Sequence, residues 1–383
     1  MNVAGFDLKY SPEDIAWLTK RFEGMLQRGF ISMGENVAEF ERQYAEFCGT
    51  KYAIGMMTGT CSVEMILKSI DVRGATVLLP SHTFVATATA AVTAGARLIF
   101  VDCQPDNFQM DPDDLERSIQ PDSKVVILVH MAGIISPHLE RIKQICKKHN
   151  LLLMEDAAHA HGATIDGKKA GSLGIAGSFS FFSTKVMTTG EGGMVTTSDD
   201  EVYKWCRALR DHGRFTNDPN YTEIIGRNAR PSEIHALFGL RQMQSINEML
   251  AERRQIAKWY DDKIGEGRIP FVKKIKIPSN IESAYYKYIL YLDEKIDRQD
   301  LRKCLKEGFG VSLSGELYAR SVHQQPVFKT NPQFVASPAD KKFPGTDYVV
   351  SRHFCLPLYL GLTEEKVSYV VESLEKAVKA CAG

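Results

Sequence analysis

Residues Leu151–Gly162 read LLLMEDAAHAHG, and residues Gly177–Gly193 read GSFSFFSTKVMTTGEGG. Each opens on a short apolar run of strand length. Each then breaks off at a chemically active side chain, Asp156 in the first and Lys185 in the second. Five more such runs occur at Tyr52–Met57, Ala75–Pro80, Arg97–Asp102, Lys124–His130 and Gly193–Thr197. Continuous apolar runs, as opposed to alternating ones, suit strands buried on both faces.

Between the runs the apolar spacing changes from that of a strand to that of a helix. Val37, Phe40, Tyr44 and Phe47 share one helical face, as do Val63, Ile66, Leu67 and Ile70, and Leu139, Ile142 and Cys146. Val202, Trp205, Cys206 and Leu209 form another, opened by Ser198 with Glu201 three residues on, a capping-box pattern. Strands alternating with helices predict an α/β fold with a mostly parallel sheet of seven strands. Only about ten loop-like residues separate the Gly177–Phe182 and Gly193–Thr197 runs, too few for a helical crossover, so that pair is antiparallel or joined irregularly. A long helix is expected from Pro231, at a first helical position, to about Ile264. Beyond it the runs shorten, as in Ser283–Leu292. The chain closes on the helical stripe Val367, Val370, Val371, Leu374, Ala377, Val378 and Cys381. The expected division is a large α/β domain over residues 1–250 and a smaller C-terminal α+β domain over residues 251–383. The first thirty residues carry no pattern that assigns them to either.

The chain has 383 residues, with 47 Lys plus Arg balanced by 47 Asp plus Glu. Zero net charge disfavours a protein that coats nucleic acid or an acidic membrane. No apolar run approaches the roughly 20 residues that span a bilayer. Met1–Tyr10 lacks the basic and apolar regions of a signal peptide. None of the eight cysteines forms a Cys-x-x-Cys pair, which points to small buried hydrophobes in a reducing, cytoplasmic compartment.

Ligands of open α/β sheets bind beyond the carboxyl ends of the strands. After Tyr52–Met57 come Thr58, Gly59, Thr60, Cys61 and Ser62 at a helix start, which is either an anion site or a plain N-cap. After Ala75–Pro80, Phe84 is placed to stack on a planar ligand or to pack in the core. Asp156 is followed by His159 and His161. These residues read as a cofactor site, as a metal site with His130, or as an N-capping Asp with two surface histidines. Lys185 follows an apolar, aromatic run, where desolvation would make its amine a nucleophile at moderate pH. The glycines that follow form neither a Walker loop nor a dinucleotide fingerprint. Taken together, a phosphate-type helix start, a stacking ring, a buried carboxylate and a reactive amine are what pyridoxal 5′-phosphate requires. A metal hydrolase would leave Lys185 and the Thr58–Thr60 turn without a role.

With those stretches in view, the chain resembles the sugar aminotransferases of the DegT/DnrJ/EryC1/StrS family, which have the aspartate-aminotransferase-like fold. The resemblance rests on GENVAEFERQYAEFCG (Gly34–Gly49), Thr58–Thr60, PSHTFVAT (Pro80–Thr87), EDAAHAHG (Glu155–Gly162), GSFSFFSTKVMTTGEGG (Gly177–Gly193), LRDHG (Leu209–Gly213) and GRNAR (Gly226–Arg230). VHQQPVF (Val322–Phe328) and LPLYLGLTE (Leu356–Glu364) match more weakly. It implies that Lys185 attaches the cofactor and later shuttles the proton. Asp156 would pair with the pyridine nitrogen, His159 would contact the ring-oxygen side, and Phe84 would cover the ring. Gly59, Thr60, the backbone at Cys61 and Ser180 would hold the phosphate. Asn228 would reach the phosphate of a neighbouring subunit, so a homodimer is implied. Arg230, Tyr318 and His323 would lie near the substrate. The implied reaction is ping-pong transfer of an amine from glutamate or glutamine to a keto-sugar, usually nucleotide-linked, for amino-sugar and surface-polysaccharide biosynthesis. Lysine at 185 disfavours the dehydratase branch of the family, which carries histidine there.

The chain departs from the family pattern at His138, at Asn228-Ala229-Arg230-Pro231, and at Tyr318-Ala319-Arg320-Ser321-Val322-His323. The last two lie where substrate would bind, and they open a second reading of the acceptor as a small phosphorylated ketone or a cyclitol ketone. A binding protein without catalysis, on the same fold, is disfavoured by the intact lysine and cofactor set.

Overall fold

The structure, a computed structural model, describes residues 1–216, 218–265 and 267–382. The strands that precede the middle of the chain are β1 (Tyr52–Met56), β2 (Thr76–Pro80), β3 (Arg97–Val101), β4 (Ser123–Val129), β5 (Leu152–Asp156), β6 (Thr164–Ile165), β7 (Lys168–Lys169), β8 (Ala176–Ser180) and β9 (Gly193–Thr197). Seven of them form one sheet in the order β1-β9-β8-β5-β4-β2-β3. The pairs from β3 through β8 are parallel, while β9 runs against both β8 and β1. The short loop between β8 and β9 thus makes an antiparallel return, one of the two arrangements its length allowed. The strands β6 and β7 leave this sheet and pair with each other, and β6 pairs on its other side with Ile281–Glu282.

The central strands are continuous apolar runs because both faces are covered. Val125, Val126, Ile127 and Leu128 on β4 are fully buried, and fully burying an aliphatic side chain contributes roughly 1.5–3 kcal/mol. The covering helices up to the change of character are α1 (Pro12–Arg28), α2 (Glu35–Cys48), α3 (Gly59–Ser69), α4 (Val85–Thr93), α5 (Pro112–Ser118), α6 (Leu139–Lys148), α7 (Asp200–Arg210), α8 (Glu233–Met243) and α9 (Ile246–Ile264).

Two helix boundaries correct the sequence reading. The cap of α7 is Asp199, whose carboxylate accepts from the amides of Glu201 and Val202; Ser198 instead accepts from the Lys51 amide. A carboxylate is the stronger partner for the positive end of a helix. The long helix expected from Pro231 to Ile264 is two helices that break at Gln244 and Ser245. The first is capped by Ser232, which accepts from the His235 amide, so Pro231 lies outside the helix.

The remaining elements are β10 (Val272–Lys274), β11 (Ile281–Glu282), β12 (Tyr288–Leu292), α10 (Arg298–Phe309), α11 (Pro326–Thr330), α12 (Pro344–Arg352), β13 (His353–Leu356) and α13 (Glu364–Ala382). A second sheet, β10-β12-β13, packs with α9, α10 and α13 into its own apolar core, which includes Leu290, Phe354, Leu301, Leu305, Val370 and Leu374. Val3 belongs to this second core, whereas Met25 is buried and Trp17 packs against the first. α9 belongs to both, with Leu250 in the first core and Ile256 and Tyr260 in the second.

Candidate active site

Beyond the carboxyl ends of β1, β2, β5 and β8 lies a cavity of about 450 Å³, within the size range of small-molecule and cofactor sites. Asp156 ends β5 and is 7 % exposed. Its Oδ2 accepts from the hydroxyl of Thr87 at 2.7 Å, and its Oδ1 accepts from the Ala158 amide at 3.2 Å. Thr87 lies on α4 and is backed by the Thr83 hydroxyl at 3.1 Å. The carboxylate is therefore fixed in direction, as a buried charge requires.

Lys185 sits in a turn beyond β8, with Nζ 4.8 Å from the centre of the Tyr286 ring. Burial lowers its pKa to about 8; Asp156 opposes this by favouring the charged form, and the nearby Lys287 adds to the lowering. The amine is thus partly unprotonated near neutral pH, a condition for nucleophilic attack on a carbonyl.

His159 is 3 % exposed and stacks on Tyr286 at 4.3 Å. Its Nε2 lies 3.0 Å from the Tyr318 hydroxyl, and its Nδ1 has no partner. Burial, followed by Lys185 and Lys287, pushes its pKa well below the usual histidine value. At the other end of the cavity, Gly59 and Thr60 open α3, whose first amides have no partner within the helix. A Cβ on Gly59 would stand 2.8 Å from the Ser180 Cβ, so the absent side chain is what keeps this corner open. Phe84, 52 % exposed, lies on the wall with its ring 5.5 Å from that of Tyr318.

The cavity thus gathers Gly59, Thr60, Phe84, Asp156, His159, Ser180, Lys185 and Tyr318 of the residues expected from sequence. Cys61 is not in its wall, and the Cys61 amide is taken by the Thr58 hydroxyl at 3.1 Å. Arg230 pairs with Asp211 outside the wall, and His323 turns away to Ser81 at 2.5 Å and stacks on Phe343. Asn228 is exposed and lies outside the cavity of its own chain. The alternative metal grouping does not assemble: His130 bonds Glu155, and His161 spends both nitrogens on Tyr44 and the Ser180 carbonyl. The reading of two surface histidines is overturned as well, because His159 and His161 are both buried. Sequence reasoning missed Thr87, Phe182, Thr184, Glu191 and Tyr286. Thr87 closes the quoted PSHTFVAT stretch and its position just past a strand end was the available signal. Tyr286 lies in the noted run Ser283–Leu292, with nothing local to mark it.

The donor set suits pyridoxal 5′-phosphate: amides at a helix start for the phosphate, Asp156 for the ring nitrogen, an aromatic face and an amine. The model of the DegT/DnrJ/EryC1/StrS aminotransferase family matches residues 13–375. The chain belongs to that family. It is a pyridoxal-phosphate-dependent transaminase. The aminotransferase is 34 % identical over 357 residues to GDP-perosamine synthase of Caulobacter vibrioides, covering 91 % of each chain. It is 30 % identical over 353 residues to dTDP-3-amino-3,4,6-trideoxy-alpha-D-glucose transaminase of Micromonospora megalomicea subsp. nigra, again covering 91 % of each. Its fold matches that of ntda from Bacillus subtilis with bound cofactor pmp at a TM-score of 0.87 and 25 % identity, over 96 % of this chain and 83 % of that one. The architecture is thus the aspartate-aminotransferase-like fold that the resemblance implied.

Proposed function

We propose that this aminotransferase moves an amino group from glutamate or glutamine to a keto-sugar carried on a nucleotide, in amino-sugar biosynthesis for surface polysaccharide. The single observation that carries the chemistry is the amine of Lys185, lowered to about 8, in one cavity with the fixed carboxylate of Asp156. The acceptor class is supported by the two relatives, whose names specify GDP- and dTDP-linked sugars.

The cofactor, when bound, supplies an aldehyde for amines and a ring that accepts electrons from the carbon undergoing transfer. The chain's own residues do the rest. Lys185 would be the attachment point and would hold and move the proton at the reacting carbon. Asp156, kept in direction by Thr87 and Ala158, would hold the ring nitrogen. Gly59, Thr60 and Ser180 would hold the phosphate, with the Cys61 amide joining only by sharing its bond to Thr58. Phe84 would shield one side from water. Arg230 and His323, engaged with Asp211 and Ser81, would meet substrate only by exchanging those partners.

The working unit is a homodimer in the cytoplasm. Phe22, Leu26, Phe30 and Ile31 are exposed on and beside α1, and Ile225, 92 % exposed, neighbours Asn228. Mixing Asn228→Ala with Lys185→Ala subunits tests the shared site: restored activity in mixed dimers supports it, and none under demonstrated subunit exchange contradicts it. For the acceptor, nucleotide-linked keto-sugars are screened beside small phosphorylated and cyclitol ketones, with glutamate and glutamine as donors. Turnover confined to ketones without a nucleotide would transfer the assignment to the second reading.

A further inference from the structure

The ammonium form of Lys185 needs a partner, because a partly buried charge is costly without one. Among the described residues its Nζ makes no hydrogen bond and no ion pair. What it meets is the ring of Tyr286, with Nζ 4.8 Å from the ring centre. That lies within the roughly 6 Å over which a ring face attracts a cation. Lys287 Nζ is 5.4 Å from the same ring centre but is satisfied elsewhere, donating to the Ser314 carbonyl at 2.7 Å.

Tyr286 is held as a fixed platform. Its hydroxyl lies 3.3 Å from that of Thr184, the residue before Lys185, so the ring is tied to the turn that carries the lysine. His159 stacks on the ring at 4.3 Å. Two further elements pin the backbone. Arg253 on α9 donates from Nε to the Tyr285 carbonyl at 3.0 Å and from Nη2 to the Tyr286 carbonyl at 3.2 Å. The Gly133 carbonyl, beyond β4, accepts from the Ala284 amide at 2.9 Å and from the Ser283 hydroxyl at 3.0 Å. Tyr285 is held at φ +46°, and a Cβ on Gly133 would stand 3.1 Å from the Tyr286 nitrogen. The turn that presents Tyr286 is thus set by its neighbours and against local preference.

We propose that the face of the Tyr286 ring seats the ammonium of Lys185 whenever the lysine is free of the cofactor, which makes Tyr286 a positioning residue for the proton that Lys185 carries. In each half of the transfer a proton leaves one carbon, resides on Nζ and is given to another, so no oxidant or reductant is needed. A ring face holds the cation more weakly than a carboxylate would, which leaves the proton free to be returned. The inference rests on the reading of Lys185 as the proton carrier and assigns Tyr286 a part in it.

The charged and titratable groups around Lys185 are Asp156 at the end of β5, His159 and His161 beyond it, Lys287 before β12, Tyr318 and Glu191 in the cavity wall, and Arg253 at the Tyr286 backbone. None of them changes in the test. The full-length chain, free of cofactor, is labelled with 13C-lysine, and the Cε signal that is missing from Lys185→Ala is followed against pH. Tyr286→Phe keeps the ring face and is the reference. Phenylalanines carrying one, two and three fluorines are then placed at position 286, which keeps the shape and progressively removes negative potential from the face. The Lys185 midpoint falls stepwise along the series, by about one unit in all, a tenfold loss of proton affinity. A midpoint that stays still overturns the proposal, since a ring that only packs is indifferent to fluorine. In the loaded enzyme the series lowers kcat stepwise and leaves KM for the donor unchanged. A constant kcat would show that the seat is not used in transfer, and overturns the positioning role. Wild-type protein that forms no visible band with pyridoxal 5′-phosphate would sink the reading of Lys185 instead, and the cofactor-free midpoints tell the two failures apart.

Discussion

The Thr87 hydroxyl on α4 donates to the Asp156 carboxylate at the end of β5 over 2.7 Å. Val in place of Thr keeps the shape and removes the donor. Because the lost bond is to a charged group, Thr87→Val lowers kcat by about tenfold and leaves thermal stability nearly unchanged. Asp156→Ala still takes up the aldehyde but turns over roughly 10²–10³-fold more slowly, the scale of a missing electrostatic partner. Steady-state kinetics on both variants check this, and near wild-type turnover in Asp156→Ala contradicts the role.

If Lys185 attaches the cofactor as proposed, its amine sets the pH dependence of cofactor uptake. Below about 8 it is mainly protonated and does not attack; above it the rate levels off. Uptake by cofactor-free protein therefore rises with pH and breaks near 8. Lys287→Met removes a charge that disfavours protonation of Lys185, so the break moves upward. Asp156→Asn removes the group that favours protonation, so it moves downward. Stopped-flow absorbance reads the break, and a break at the ordinary lysine value of 10.5 would show that the amine is not desolvated.

A methyl group at position 59 meets the Ser180 Cβ at 2.8 Å. Gly59→Ala therefore strains the start of α3 by about 1–3 kcal/mol and fills the corner proposed for the phosphate. Affinity for pyridoxal 5′-phosphate falls about tenfold or more, while the protein still folds. Ser180→Gly in the same chain removes the clashing Cβ but also a proposed phosphate contact, so it relieves the strain at α3 without restoring the affinity. Equilibrium dialysis measures both, and unchanged affinity in the single variant removes the phosphate from this corner.

The sequence showed the strands most clearly where burial is complete, as in Lys124–His130 and Leu151–Asp156, because an unbroken apolar run has few other uses. Asp156, His159 and Lys185 stood out because polar groups that interrupt such runs need partners. Residues that act through the tertiary fold did not. Tyr286 and Tyr318 come to His159 from more than a hundred residues away, and no local pattern encodes that meeting. Helix ends were blurred for a related reason. Ser198 is an adequate cap and Pro231 an adequate first helical residue, and the neighbours Asp199 and Ser232 became the caps through the tertiary path.

Glu155, beside Asp156, plays a separate part. Fully buried, it accepts from the amides of Gly171, Leu173 and Gly174 at 2.7, 2.6 and 2.9 Å, and His130 Nε2 lies 2.9 Å away. It ties the loop before β8 to the sheet. Glu155→Gln turns an N–H group toward these donors and lowers stability by about 3–5 kcal/mol, the cost of breaking one side of a buried charged network. Urea unfolding monitors this, and a loss under about 1 kcal/mol would show that the loop is held by other contacts.

The proposed role of Lys185, carrying pyridoxal 5′-phosphate and transferring an amine with it, can be read from the absorption spectrum of purified protein before and after glutamate is added. Wild type is expected to show a visible band that shifts on adding glutamate and is missing from Lys185→Ala. No band after incubation with the cofactor, or an equal band in Lys185→Ala, would contradict it.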